Sequence, residues 1–418
     1  MREYETPGEK VNPAELPVRR LLAPREATCE TLPMPSRAAT PGAFVAKTAA
    51  AAGGAGSADG ASGELALFRR FPKLAGLPRA ALVATPTPIE PLRLANLADG
   101  ALFVKRDDRS SPVYGGNKAR KLEFTLAAAA ARGARRLITT GGIGTHHGLA
   151  TAIFARALGM KTTVVVVPQP VNDHVREQLR ALLSFGAELL PARTVPGAAL
   201  QVIRAFTTAT LRGEKPAWVP TGGSSALADI GFVSAAFELA EQIEAGAMPA
   251  PAEIYLPIGT GGTYAGLVVG AKLAGLHARI IGVLVTDILP PGPARLARLA
   301  RASLALLRRY EPSLPAVAIA PADFEVVRAQ LGPGYGATTP AAEAAADLCR
   351  DAGLALETTY TAKCMAEVIA RLGDGRAQAP VLFWNTYNSV DFWNGAPERA
   401  TEDRLPATIQ RWLAEAPA

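Results

Sequence analysis

The chain has 418 residues, 49% of them apolar and only 6% aromatic, with a formal net charge of +7. That length and apolar share can bury a large core, as two or three domains or as one large α/β unit. The basic excess is scattered over Arg19, Arg20, Arg69, Arg70, Arg135, Arg136, Arg308 and Arg309 rather than clustered with aromatics, so nucleic acid is not an expected partner.

Residues 1 to about 70 are rich in Pro, Ala, Gly and Ser and end in TAAAAGGAGSADGASG at 48–63, which reads as a disordered low-complexity extension. The opening MREYETPGEK has no apolar core of a secretory signal, and runs such as 162–168 are far too short to span a bilayer, so a cytoplasmic protein is expected. Cys29, Cys349 and Cys364 lack paired spacing, which argues against a disulfide framework or a metal site. From Leu65 onward strands and helices alternate. Strands are expected at 136–140, 162–167, 217–219, 254–258, 280–285 and 381–384, and helices at 147–158, 173–185, 227–245 and 264–273. This alternation predicts parallel sheets with helices on both faces, and ligands beyond the carboxyl ends of the strands.

Four segments at such ends carry groups suited to chemistry. In VYGGNKARKLEF (113–124) two glycines permit close backbone approach and Lys118 opens a helix. Partial desolvation, with Arg120 and Lys121 nearby, lowers its pKa and makes it nucleophilic toward an aldehyde; the plain alternative is a solvated lysine. In TTGGIGTHHG (139–148), Thr145 and the N–H groups after it suit a carboxylate, while His146 and His147 suit acid–base work or merely cap a helix. In PIGTGGTYAG (257–266), consecutive N–H groups, a helix start and the hydroxyls of Thr260 and Thr263 suit a phosphate. A dinucleotide site or a tight turn would use the same glycines. In VLFWNTYN (381–388), Thr386 stands at a strand end, free to donate to a ring nitrogen or to bond its own backbone.

In this order the segments resemble the fold-type II pyridoxal 5′-phosphate (PLP) enzymes, and more narrowly the D-cysteine desulfhydrase and 1-aminocyclopropane-1-carboxylate (ACC) deaminase family. The resemblance runs from about Pro86 to Ser389, through TPIEPL (87–92), VKRDD (104–108) and GGNKARKLE (115–123). It implies a tryptophan synthase β-like α/β fold of two open, twisted, mostly parallel sheets flanked by helices. The division expected is an extension over 1–70, a larger PLP-binding domain from 71–115 and 215–418, and a smaller inserted domain at 116–214.

Carried over residue by residue, the resemblance makes Lys118 the Schiff-base lysine and a proton carrier. Asn117, Gly259, Thr260, Gly261, Gly262, Thr263 and Thr386 become cofactor-binding residues, with TGGSS (221–225) lining the pocket. Tyr335 and Tyr360 match two active-site tyrosines, and Thr145, His146, His147 and Tyr360 would meet the substrate, Thr145 with a catalytic part. The family has Ser-Asn-His or Ser-Asn-Gln where Thr145-His146-His147 stands, so His146 inherits the bond to the cofactor's phenolic oxygen. ACC deaminases have Glu where this chain has Thr361, and an apolar residue where it has Thr386. A hydroxyl at the ring nitrogen makes the ring a milder electron sink, which suits β-elimination. Asn385-Thr386-Tyr387-Asn388 replaces the usual His/Leu-Thr/Gly-Gly ending and adds a ring to the pocket. The expected activity is D-cysteine desulfhydrase-like, in a homodimer acting on a small amino acid. ACC deamination, a divergent PLP lyase, or a non-catalytic PLP- or dinucleotide-binding protein are the alternatives.

Overall fold

The structure, a computed structural model, describes residues 64–394 and 396–415. Its strands in chain order are β1 (Ile89–Pro91), β2 (Leu102–Lys105), β3 (Arg136–Gly142), β4 (Lys161–Val167) and β5 (Ala187–Pro191), then β6 (Pro216–Trp218), β7 (Glu253–Ile258), β8 (Arg279–Leu284), β9 (Glu325–Val327) and β10 (Val381–Trp384). The helices are α1 (Ala66–Arg70), α2 (Asn117–Ala131), α3 (His146–Ala157), α4 (Asp173–Ser184), α5 (Val195–Leu211) and α6 (Ile230–Glu244). They continue as α7 (Gly262–Ala274), α8 (Pro293–Tyr310), α9 (Pro340–Asp351), α10 (Thr361–Gly373) and α11 (Ala407–Ala414).

The valine run of β4 is buried almost throughout, as a strand covered by helices on both faces must be. Six strands form one sheet in the order β1-β2-β10-β7-β8-β9, and four form a second in the order β5-β4-β3-β6. Only β1 with β2 pairs antiparallel; every other neighbouring pair is parallel. Thr145, Asn172, Thr194 and Thr339 cap α3, α4, α5 and α9 by accepting a first-turn N–H, which fixes where those helices begin.

The six strands expected from β-branched runs are present, shifted by no more than two residues at either end. β1, β2, β5 and β9 are additional; they are short, and β1 and β9 are only half-buried, so their residues carry little pattern. The expected extension over 1–70 needs correction at its end. Leu65, Leu67 and Phe68 are buried with Phe124 and Phe232 in the core of the six-stranded sheet, because apolar burial there offsets the cost of ordering α1. Residues 1–63 of that extension lie outside the described residues. Leu405, Ile409, Trp412 and Leu413, expected with the larger domain, pack instead with Leu179 and Leu182 beside the four-stranded sheet.

One buried ionic cluster joins the pieces. Arg120 on α2 donates to both carboxylate oxygens of Asp107 (2.9 and 2.7 Å) and of Glu238 on α6 (3.0 and 3.0 Å). Lys105 at the end of β2 reaches Glu238 (2.6 Å) and the Thr87 carbonyl (2.7 Å), and Trp384 Nε1 at the end of β10 donates to Asp107 (2.8 Å). Burial would raise the Glu238 pKa, but Arg120 and then Lys105 outweigh it and hold the carboxyl at about 2. Removing one member leaves uncompensated buried charge. Arg120→Met is expected to cost about 3–5 kcal/mol of stability in denaturant-induced unfolding; a loss below about 1 kcal/mol would show that the cluster is not a structural keystone.

Candidate active site

Lys118 stands in the first turn of α2, on a bend with no room for side chains before it. A Cβ on Gly115 would lie 1.9 Å from the Asp108 carbonyl oxygen, and one on Gly116 would lie 2.7 Å from the carbonyl oxygens of Thr386 and Tyr387. The Gly115 N–H donates to Asn388 Oδ1 (2.6 Å) and the Asn117 N–H to the Thr386 carbonyl (3.2 Å), so the bend is tied to the chain leaving β10. That tie is what brings Thr386 beside Lys118. Its hydroxyl makes no hydrogen bond among the described residues.

Lys118 Nζ donates to Asn117 Oδ1 (2.7 Å), and Asn117 Nδ2 donates to Thr263 Oγ1 (3.0 Å). Burial, and then the Lys121 cation, lower the Lys118 pKa to about 7, against a weaker pull from Glu357. A substantial fraction of the amine is therefore neutral near pH 7, as attack on an aldehyde requires. Arg120, expected to share in that shift, does not: its guanidinium is committed to Asp107 and Glu238. Lys121 donates to the Gly222 carbonyl and to Ser224 Oγ, both at 3.1 Å. Glu123 accepts from the N–H groups of Leu82 (2.9 Å) and Val83 (3.2 Å). The polar residues of RKLE thus fasten α2 in three directions.

The loop Gly259–Thr263 leads from β7 into α7. Gly261 has a φ of 93°, and a Cβ there would meet Leu296 at 2.3 Å, so only glycine fits. The Gly262 N–H donates to Ser224 Oγ (3.0 Å), which also bonds Thr260 Oγ1 (2.6 Å). First-turn N–H groups of α7, the Thr260 and Thr263 hydroxyls and the Lys121 ammonium thus converge next to Lys118. This donor set suits a phosphate dianion. The rival dinucleotide reading needed an acid at the end of β8, and Asp287 is there. Its Oδ1, however, accepts the Tyr335 N–H (2.9 Å) and serves the tyrosine loop.

The structure places Tyr335 and Tyr360 together, with Tyr360 donating to the Tyr335 oxygen at 2.8 Å. Burial raises both phenol pKa values, so both stay protonated at neutral pH. The pair bridges two loops: a Cβ on Gly142 would lie 3.4 Å from Tyr335 and one on Gly259 3.4 Å from Tyr360. Glu357, which spacing alone did not single out, accepts the N–H groups of Thr359, Tyr360 and Thr361 (2.8, 2.6 and 3.0 Å) and so sets the start of α10.

The Thr145-His146-His147 segment departs from expectation. Thr145 Oγ1 accepts the Gly148 N–H (3.1 Å) as the cap of α3, leaving its own proton to donate. His146 has no ring nitrogen left for a phenolic oxygen: Nδ1 meets the Tyr114 hydroxyl and Nε2 meets His174 Nε2, each at 3.0 Å. His147 is buried, with Nε2 on the Thr139 hydroxyl (3.1 Å) and Nδ1 without a partner among the described residues, where a Cβ on Gly223 would lie 3.6 Å from it. Burial, followed by nearby positive charge, lowers both pKa values well below the usual imidazole value, and both rings are neutral. The Tyr387 ring lies edge-on to His146, 5.7 Å between centres, and supplies the crowding expected of it. Tyr114 and His174 were not anticipated. A signal existed, since the chain has only 4 histidines and His146, His147 and His174 all gather here.

An aldehyde-bearing dianion would find its nucleophile and its anion cradle at the ends of adjacent elements, joined through Asn117. That is the architecture of an enzyme that uses pyridoxal phosphate. A model of the pyridoxal-phosphate dependent enzyme family matches residues 80–386, and the chain belongs to that family. Its fold is that of the fold-type II members. It is 36% identical over 321 residues to nocardicin C-9′ epimerase of Nocardia uniformis subsp. tsuyamanensis, covering 75% of this chain and 93% of that protein. It is 33% identical over 324 residues to D-cysteine desulfhydrase of Salmonella newport (strain SL254), covering 75% and 94%. The solved structure of an ACC deaminase homologue superposes with a TM-score of 0.65 at 26% identity, over 76% of this chain and 94% of that one.

Trapping with pyridoxal phosphate and borohydride, followed by peptide mapping, should place the label on Lys118. Labelling should rise with pH around a midpoint of about 7, because the deprotonated amine reacts. A label on Lys121, or a midpoint near the ordinary lysine value, would refute this assignment.

Proposed function

We propose that this chain catalyses β-elimination from a small D-amino acid, D-cysteine foremost, releasing sulfide, pyruvate and ammonia. When bound, pyridoxal phosphate supplies an aldehyde for the amine and a conjugated ring that holds the electron pair released at the α-carbon. The observation that carries the reading is the Thr386 segment tied to the Lys118 bend, which offers a hydroxyl with no competing partner among the described residues. A neutral donor or acceptor there keeps the ring a mild sink, sufficient where a leaving group drains charge early.

Lys118 would hold the cofactor, and its Nζ, neutral in substantial part near pH 7, is the base placed to take the substrate's α-proton. The Thr145 hydroxyl proton and the first-turn N–H groups of α3 hold the substrate carboxylate. The Tyr360–Tyr335 pair, protonated and hydrogen-bonded in series, delivers a proton to the departing sulfur. His146 and Tyr387 exclude water and bulk from one side. A cytoplasmic location and a homodimer belong to the same proposal, the homodimer on the strength of the family resemblance. Among the described residues no helix is long and apolar enough to cross a membrane.

Assays of pyruvate and sulfide from D-cysteine, beside 2-oxobutanoate from ACC, test the substrate. Tyr360→Phe should lower kcat by about 10²-fold, the scale of one general acid, with little change in KM. Turnover of ACC but not D-cysteine would sink the desulfhydrase reading. The likeness to nocardicin C-9′ epimerase supports a second outcome from the same α-proton step, inversion at the α-carbon. Deuterium entering the α-position from heavy water, with the enantiomer recovered and no sulfide released, would select it.

A further inference from the structure

Asp229, immediately before α6, takes no part in the chemistry above, yet it is fully buried and neither carboxyl oxygen has a hydrogen-bond partner among the described residues. Such a group is costly unless something nearby gives it a purpose. Its surroundings are those of the phosphate loop. A Cβ on Gly262 would lie 2.2 Å from Asp229 Oδ1 and 2.5 Å from Ser224 Oγ, and Ser224 Oγ joins the Gly262 N–H, Thr260 Oγ1 and Lys121 Nζ. The carboxyl and the ammonium thus share the floor of a cradle suited to a dianion.

We propose that Asp229 is a proton-accepting counter-group for that cradle. It balances Lys121 as a carboxylate when no anion is bound, and it takes up one solvent proton when a dianion arrives. Anion capture is then coupled to proton uptake: the dianion pairs with Lys121 and the α7 N-terminus, and the neutral carboxyl no longer repels it. This rests on reading Gly259–Thr263 as the phosphate site.

The titration range suits the role. Burial pushes the Asp229 pKa up to about 7, against the opposing pull of Lys121. Lys121 on α2 is the charged side chain acting on it. Beyond Lys121 stand Lys118, which itself titrates near 7, and His147, which is held neutral.

Sulfate is a suitable probe, because it remains a dianion between about pH 5.5 and about 8.5, so any pH dependence belongs to the protein. Binding is measured by calorimetry on the cofactor-free full chain carrying Lys118→Met, which removes that lysine's own titration. Affinity should fall by up to about tenfold per pH unit above about 7, and binding at pH 8 should draw protons from the buffer. Adding Asp229→Asn, or Asp229→Ala as a second variant, should flatten the profile and abolish the uptake. An unchanged pH slope in either folded variant overturns the proposal while leaving the phosphate site intact. Sulfate binding that ignores Thr263→Ala, or its absence altogether, overturns both the phosphate-site reading and the proposal.

Discussion

Arg120 lies two residues beyond Lys118, and its guanidinium is held by two buried carboxylates from different parts of the chain. That constraint orients the first turn of α2, and with it the direction in which Lys118 leaves the helix. Asp107 follows β2, Glu238 sits on α6, and Trp384 closes β10, so the cluster also ties the middle of the six-stranded sheet to the catalytic helix. A buried ionic cluster is a poor source of net stability compared with apolar packing, since desolvation consumes most of the Coulomb gain. What it supplies is geometry. Apolar side chains tolerate small slips, whereas a bidentate guanidinium does not.

The glycines complete what the cluster begins. At Gly115, Gly116 and Gly262 a single added carbon would overlap a carbonyl oxygen, a carboxyl oxygen or a hydroxyl. Gly116 lets the bend after β2 meet the backbone leaving β10, and Gly262 lets the start of α7 meet the Ser224 and Asp229 side chains. The site is therefore made of strand ends drawn together by main-chain contact at the Lys118 bend and by the Ser224 hydroxyl at the phosphate loop.

This explains which parts were legible in the sequence. The GGNK bend and the GTGGT loop are local signatures whose chemistry follows from residue type and immediate neighbours, whereas the tyrosines at 335 and 360 were singled out by the family resemblance alone. The structure brings Lys118, Asn117 and Thr263 into one hydrogen-bonded chain, and Tyr335 against Tyr360. What escaped was long-range. Arg120 read as a cation beside Lys118, because nothing local reveals that Asp107 and Glu238 would claim it. His146 read as a cofactor ligand by analogy with the residue it replaces, because its partners Tyr114 and His174 lie 32 and 28 residues away. Asp229 carried no motif, and its interest arises only from burial. Likewise, α1 was assigned to the extension because a five-residue helix after a low-complexity tract has no periodicity to display.

The site's electrostatics share one direction. Burial lowers the Lys118 amine to about 7, holds the His146 and His147 imidazoles neutral, keeps the Tyr335 and Tyr360 phenols protonated and raises Asp229 to about 7. Each group is pushed toward its uncharged form, so a proton passed between them separates little charge in a medium of low polarity. The exception is Arg120, whose permanent charge is neutralised at once by two carboxylates and kept out of the reacting space. A pocket arranged in this way leaves the guest's dianion as its dominant charge. The residues around that dianion then need to supply donors rather than fixed cations, which is what a helix start, two threonine hydroxyls and one lysine provide.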